Sequence, residues 1–153
     1  MSNSELQYYM KLVKKSHDAF RDFITHLSEE ILEWKIHEFT NSVSWIIQHI
    51  IQDQKWITDV ILNKQTKHKE SIKFNEKLTR DQLVGKFDKL VSYTENNFSK
   101  LNDEVLREFR NYKEYSMSVE DWLFEYIFHL NQHSGEISLM SKAWKRKERS
   151  IQG

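Results

Sequence analysis

The sequence predicts an all-α fold, a four-helix bundle. The chain has no proline and only three glycines, one of them the last residue. Chains this poor in helix breakers and turn formers rarely build tight hairpins. Apolar residues also recur three to four positions apart in four long segments, as they do on the buried face of a helix. We therefore expect four helices around one core, without a β-sheet.

The composition fits one globular domain over residues 1–153, in which 39% hydrophobic residues can bury a sizeable core. Lys plus Arg and Asp plus Glu number 23 each, so no net charge attracts nucleic acid or an anionic membrane. Cysteine is absent, which excludes a disulfide, an iron–sulfur cluster and a thiolate nucleophile. The sequence shows neither a signal-peptide core nor the run of about 20 apolar residues that spans a membrane, so we expect a cytoplasmic protein.

The first helix is expected over residues 4–26. Leu6, Val13 and Phe20 belong to its apolar face, and Ser2 and Glu5 have the spacing of a capping box. Residues 27–42 follow as a connection, with one helical turn at residues 28–32.

The second helix is expected over residues 42–63, where valines and isoleucines form a broad apolar stripe. Residues 64–78 are polar and basic, which indicates an exposed loop. Because this loop is long, we expect a crossover connection between helices 2 and 3 instead of a simple up-down order.

The third helix is expected over residues 81–101, after a capping box formed by Thr79 and Gln82. The charged stretch 102–117 is interpreted as a connection or a helix extension. The fourth helix is expected over residues 119–149, with Ser118 and Asp121 as its cap signal.

Three histidines point to a metal site. His129 and His133 stand four positions apart in a helical pattern, and four residues of α-helix turn through about 400° and rise about 6 Å, so both imidazoles leave one face. His49 lies in an apolar helical segment of the same kind. Imidazole binds zinc, nickel, copper and iron, and three protein ligands leave a metal with an open position.

A histidine on an apolar helix face is more often a core or half-exposed residue. The other four histidines are interpreted in that way: His17, His26, His37 and His68. A zincin helix has Glu directly after its first histidine, but Leu130 follows His129 here. The Glu-x-x-His motif of di-iron bundles does not occur in the sequence.

The segment around His49 has a longer pattern. In SVSWIIQHIIQDQKW, Ser44 and Trp45 precede His49, and Asp53 follows one helical turn later. This pattern resembles the early helix of the DinB-like superfamily of small helical bundles, the YfiT-like metalloenzymes. The preceding stretch, LSEEILEWKIHEFTNSVSW, resembles the connection that leads into that helix.

The second matching segment is HLNQHSGEI, which resembles the family's H-x-x-x-H-x-G-Q-I signature. The matching residues are His129, His133, Gly135 and Ile137. Glu136 stands where the family usually has Gln. Its carboxylate is either an acceptor that orients a metal-bound imidazole or a solvated or interhelical group, and we favour the second interpretation.

The resemblance spans almost the whole chain and implies one divalent metal in a cleft between helices. The implied ligands are His49, His129 and His133, and the implied metal is zinc, nickel or iron. Asp53 is a candidate acceptor that orients a metal-bound imidazole, or a pocket base, with a solvated polar face as the alternative. Gly135 is expected to permit a close approach of helices near the metal.

Three more side chains stand about one turn from the histidines. Trp45, Glu125 and Tyr126 are candidates to line the pocket; the alternative is that the aromatic residues belong to the core and the carboxylate to the surface.

The resemblance also implies a function. Relatives include metal-dependent transferases that join a low-molecular-weight thiol to an electrophile, isomerases with a thiol cofactor, and hydrolases. The expected partner is therefore a small-molecule substrate, a low-molecular-weight thiol among the candidates, with no nucleic acid and no membrane. A non-catalytic, metal-binding, stress-associated module is the alternative to an enzyme. A second copy of the chain, in a homodimer, is a further candidate partner.

Overall fold

The computed structural model describes residues 4–64 and 76–152, and within these residues the chain forms four α-helices. They are α1 (Glu5–Thr25), α2 (Val43–Ile61), α3 (Arg80–Phe98) and α4 (Val119–Gln152). Short 3₁₀ helices lie at Glu29–Ile31 and Asp103–Arg107. The expected all-α bundle is confirmed, with helix ends within a few residues of those predicted. None of the described helices has the length and apolar character that crossing a membrane requires.

Side-chain caps fix where two of the helices begin. Thr79 and Gln82 form the predicted capping box at the start of α3. At the start of α4, the Ser118 Oγ accepts a hydrogen bond from the Asp121 N–H at 3.1 Å. Such bonds satisfy backbone donors that have no partner within the helix.

The cap predicted for α1 is wrong. The Ser4 Oγ accepts a hydrogen bond from the Gln7 N–H at 3.0 Å, so Ser4 and not Ser2 is the capping residue. Ser2 lies outside the described residues, and Glu5 is the first residue of the helix.

The core has two layers, one at each end of the bundle. The direction of each helix follows from which of its halves lies in which layer. One layer contains the C-terminal half of α1, the N-terminal halves of α2 and α3, and the middle and C-terminal half of α4: Phe20, Ile24, Ile46, Ile50, Leu83, Phe87, Leu130 and Ile137. The other contains the opposite halves: Leu6, Val13, Ile57, Ile61, Phe98, Leu123 and Tyr126. Helices α1 and α4 therefore run one way and α2 and α3 the other. Both α1 and α2 pack against α3 and α4.

The direction of the helices confirms the predicted crossover. Helices α2 and α3 are parallel, so the helices do not follow one another in the simple up-down order. Residues 65–75 of the connection between α2 and α3, and His68 with them, lie outside the described residues.

A β-hairpin precedes α4, so the expectation of no β-sheet is wrong. The stretch 102–117 is a connection, as one of its two interpretations had it, and it contains a 3₁₀ helix and this hairpin. Strand β1 (Phe109–Tyr112) pairs antiparallel with β2 (Tyr115–Ser118). The backbone of Lys113 has a φ of 52°, which lies in the left-handed region that tight hairpin loops use. Glycine, asparagine or aspartate would normally signal such a loop, and Lys113 does not.

Candidate metal centre

Helix α2 places His49 at the edge of its buried face. Ser42 caps the helix, and its Oγ accepts a hydrogen bond from the Trp45 N–H at 3.1 Å. Ile46 and Ile50 are buried in the core, whereas 24% of the His49 side chain stays exposed. The ring therefore lies at the boundary between core and solvent, where a ligand can reach it.

Helix α4 presents His129 and His133 to α2, one helical turn apart. The ring centroids are 5.2 Å apart for His49 and His129, 4.9 Å for His49 and His133, and 4.6 Å for His129 and His133. One nitrogen of each ring lies within 4.8 Å of the corresponding nitrogens of the other two. The structure thus brings together the three histidines singled out in the sequence, in an arrangement that can hold a metal ion.

Gln54 fixes the protonation of His129. The Gln54 side chain is buried, and its Nε2 donates to the backbone oxygen of Tyr126 at 2.8 Å. Its Oε1 is therefore the atom that lies 3.0 Å from Nδ1 of His129. Because an amide oxygen can only accept, we assign the ring proton to Nδ1. This leaves the Nε2 lone pair of His129 available to a metal.

Glu136 acts on His133 in the same way. Its Oε2 lies 3.0 Å from Nδ1 of His133, within α4. A carboxylate oxygen accepts the Nδ1 proton, so Nε2 of His133 is again the free ligand atom. The purely solvated or interhelical role favoured from the sequence is therefore wrong, although the carboxylate remains 48% exposed.

Asp53 belongs to the same cluster. Its Oδ2 lies 3.5 Å from Nε2 of His49 and 3.6 Å from Nε2 of His129. Only 13% of the side chain is exposed, which rules out the alternative of a solvated polar face. A carboxylate oxygen beside two imidazole nitrogens can serve as a further metal ligand or accept a proton from a bound group.

The remaining residues singled out in the sequence divide between the cluster, a cavity and the core. Trp45 stacks on His49 with ring centroids 5.1 Å apart and planes at 15°, so it limits the rotation of that ring. Glu125 lines a cavity beside the cluster, whereas Tyr126 is fully buried in the core. The role expected of Gly135 is wrong, since an added Cβ would meet no atom within 4 Å.

A cavity of about 300 Å³ opens directly beside the cluster, between α2, β2 and α4. Asp53 and His129 form the end of the cavity that is nearest to the histidines. The cluster is therefore accessible from a space of the size that binds a small organic group.

A buried polar network extends from the cluster into the core. The hydroxyl of Tyr126 lies 2.6 Å from Nε2 of His17, and Nδ1 of His17 lies 3.2 Å from Oε1 of Glu95. Burial lowers the pKa of His17 by more than its hydrogen bond to the Glu95 carboxylate raises it, so this ring is neutral at pH 7. Burial also raises the pKa of Tyr126, which keeps its hydroxyl a donor. Because Gln54 bonds to both Tyr126 and His129, the network joins all four helices to the cluster.

The other histidines within residues 4–64 and 76–152 do not join the cluster. His17 is buried as a hydrogen-bonded core residue, as interpreted from the sequence. His26 is exposed at the end of α1, and His37 is exposed in the connection to α2.

A protein-family model described as the DinB superfamily matches residues 12–137. The match covers most of the chain and includes the three clustered histidines. The chain belongs to the DinB superfamily.

Solved structures share the fold of this DinB-superfamily chain. A DinB-like protein from Bacillus cereus superposes with a TM-score of 0.80 at 14% identity, over 95% of each chain. A conserved protein from Enterococcus faecalis gives 0.71 at 12% identity, over 91% of this chain and 96% of that one. A DinB-like protein from Bacillus subtilis gives 0.70 at 14% identity, over 90% and 92%. None of the curated proteins compared with the chain matches it.

The sequence did not point to Gln54, although its side chain contacts His129 of this DinB-superfamily site. Its contact with His129 joins residues 75 positions apart, which no local pattern encodes. The one available signal was a polar residue on the apolar stripe of α2, between Ile50 and Ile57. A buried amide in such a place needs hydrogen-bond partners, and here a metal-site histidine is one of them.

Proposed function

We propose that this DinB-superfamily protein binds one divalent metal ion through His49, His129 and His133. The support is the convergence of their nitrogens and the acceptors that hold two of the rings with Nε2 unprotonated. Neutral imidazoles favour zinc, nickel or iron over magnesium or calcium, which prefer oxygen ligands.

We propose further that the protein is a metal-dependent enzyme, a transferase that joins a low-molecular-weight thiol to an electrophile. The observation that carries this proposal is the cavity of about 300 Å³ beside the three histidines. A structural metal site is usually closed by four protein ligands and needs no cavity. Three histidines beside an open space instead leave room for a small-molecule substrate, which disfavours the non-catalytic module.

The residues of the chain limit the chemistry. A divalent metal supplies a Lewis acid that lowers the pKa of a bound thiol or water. The chain has no cysteine, so the sulfur nucleophile has to come from a cosubstrate. The thiol S–H loses its proton to Asp53, a new bond forms between sulfur and the electrophilic carbon, and the leaving group departs with its bonding electrons. Hydrolysis is the variant in which water replaces the thiol.

Metal analysis of the purified protein, followed by thiol conjugation against a panel of electrophiles, tests both proposals. We expect about one divalent ion per chain, and conjugation that a chelator abolishes and added metal restores. A protein in which all three histidines are replaced by alanine should lose both properties. Full activity in that variant would place the chemistry elsewhere, and release of free acid or alcohol without thiol would favour the hydrolase.

A further inference from the structure

The cavity beside the metal centre has walls of aromatic and acidic side chains. Its described lining includes Trp56, Trp122, Tyr115, Met117, Asp53 and Glu125, and no lysine or arginine. From this composition we propose that the cavity binds an apolar, uncharged or positively charged organic group of the substrate and discriminates against an anionic one. The inference rests on the proposed function in one respect: the bound group is called part of a substrate because the protein is proposed to be an enzyme.

The aromatic wall is held rigidly by ring contacts. The rings of Trp56 and Trp122 meet edge to face, with centroids 5.8 Å apart at 90°, and Tyr112 packs against Trp56 at 4.9 Å. Trp122 is almost completely buried, so its orientation is set by the core. Fixed aromatic faces offer apolar contact to a ring or alkyl group, and they attract a cation through the ring quadrupole.

The β-hairpin supplies the opposite wall. Tyr115 and Met117 are two positions apart on β2, so both side chains leave the same face of the strand and line the cavity. Arg110 of β1 anchors the hairpin, because its Nε donates to the backbone oxygen of Ile61 at 2.9 Å and its backbone oxygen accepts from Nε1 of Trp122 at 3.2 Å. The hairpin is therefore fixed to α2 and α4 at the place where the cavity lies.

The charged side chains of the cavity determine whether it favours a cation or an anion. Asp53 and Glu125 are the carboxylates of its described lining, and His129 is the imidazole. Two basic residues nearby are directed elsewhere, since Lys55 pairs with Asp59 at 2.7 Å and Arg110 with Glu108 at 2.8 Å. Away from the end formed by Asp53 and His129, an anionic group would face Glu125 and the aromatic rings, whereas a cation would be attracted by both. At the other end, a divalent ion bound by His129 would offset the charge of Asp53.

The volume limits the size of the bound group. About 300 Å³ corresponds to the space of about ten water molecules in the liquid. One ring with a short substituent fills it, and a longer cosubstrate would have to extend into solvent.

Three probes with the same ring test the inference on the purified protein: benzyltrimethylammonium, benzyl alcohol and phenylmethanesulfonate. Neither end group of the charged pair is a good metal ligand, so the probes report the cavity. Titration calorimetry should show the sulfonate binding at least about ten-fold more weakly than the ammonium compound. Equal affinities, or tighter binding of the sulfonate, would overturn the inference.

Two variants assign the effect to the cavity. Glu125→Gln should weaken binding of the ammonium probe about five-fold and leave benzyl alcohol unchanged. The matched control Glu33→Gln removes an exposed carboxylate from the connection before α2 and should change neither. Tyr115→Lys, at a half-exposed position of the wall, should reverse the preference in favour of the sulfonate. Unchanged preference in both cavity variants would refute the assignment.

The same titration in His133→Ala separates this inference from the proposed function, because His133 does not line the cavity. If the charge preference persists while metal binding is lost, the two sites are distinct, as proposed. If the wild-type protein binds metal without any charge preference, the cavity inference fails and the metal proposal stands. If the wild-type protein shows the charge preference without binding metal, the metal proposal fails and the cavity inference stands.

Discussion

Replacing Gln54 by methionine should weaken metal binding without rebuilding the core. The residue is buried, and methionine has a similar length and volume, so no large cavity or clash results. What is lost is the Oε1 acceptor 3.0 Å from Nδ1 of His129, together with the Nε2 donor 2.8 Å from the Tyr126 backbone oxygen. The His129 ring would then be free to rotate or to shift its proton to Nε2.

The magnitude follows from these two hydrogen bonds. Removing an acceptor that orients a metal-bound histidine typically lowers metal affinity about 10- to 100-fold, equivalent to about 1.4–2.7 kcal/mol. Removing these bonds takes one partner from the partly buried Nδ1–H of His129 and one from the Tyr126 backbone oxygen, which lowers the free energy of unfolding by about 1–3 kcal/mol. For a chain of this length that corresponds to a fall in Tm of about 2–12 °C.

The two effects are measured separately. Competition against a chromophoric chelator gives the metal affinity, and far-UV circular dichroism in the presence of EDTA gives the metal-free Tm. Gln48→Met is the matched control, because Gln48 lies on the same helix and its Nε2 donates to the Ser44 Oγ at 3.2 Å. If Gln54→Met binds metal as tightly as Gln48→Met, then Gln54 does not orient His129 and the assigned tautomer is wrong.

Further predictions test the cluster, the core network and the fold. His133→Ala should lower divalent-metal affinity about 100-fold or more, because losing a ligand should cost more affinity than losing a residue that only orients a ligand. His68→Ala should leave the affinity unchanged, and equal affinities of the two variants in titration calorimetry would contradict the ligand assignment. Burial lowers the pKa of His17 in the folded protein, so the unfolded chain binds more protons at this residue than the folded protein does. The contribution of neutral His17 to the free energy of unfolding is therefore complete above about pH 6.5 and decreases as the pH falls below that value. Urea titrations from pH 8 to 5 should show that the free energy of unfolding falls less steeply in His17→Gln than in the wild-type protein. The same pH dependence in both proteins would show that His17 is not the cause of the fall. Tyr126→Phe removes the hydroxyl 2.6 Å from His17 and should cost about 1–3 kcal/mol of unfolding free energy, and an unchanged urea midpoint would show that this bond is not stabilising.

The sequence carried enough information for the helices and little for the hairpin, for a physical reason. Helices α1 to α4 repeat an apolar stripe over many turns, and no proline interrupts them, so the period is visible without tertiary contacts. Strands β1 and β2 have four residues each, too few to establish an alternation. Their pairing also depends on anchors such as the Arg110 bond to Ile61, which joins residues 49 positions apart.

In the candidate site, too, local features could be predicted from the sequence, whereas features that depend on helix packing could not. His129 and His133 share a helix, and their i, i+4 spacing already places them on one face. The approach of His49, and the acceptors that set the ring protons, depend on how α2 and α4 pack. Glu136 was within reach of local reasoning as an i, i+3 neighbour of His133, but nothing local decides between a solvated carboxylate and one that accepts from the ring.

The antiparallel packing of α2 against α4 explains why the metal centre and the cavity are neighbours. Along α2, successive turns bring His49, Asp53 and Trp56 to the interface, and they meet His133, His129 and Trp122 in the reverse order along α4. A slip of one turn between the helices, about 5.4 Å, would separate all of these pairs at once. The Gln54 bonds to α4 and the bond of Tyr126 to His17 on α1 oppose such a slip from inside the core. The buried polar network therefore fixes the register on which both the metal ligands and the walls of the cavity depend.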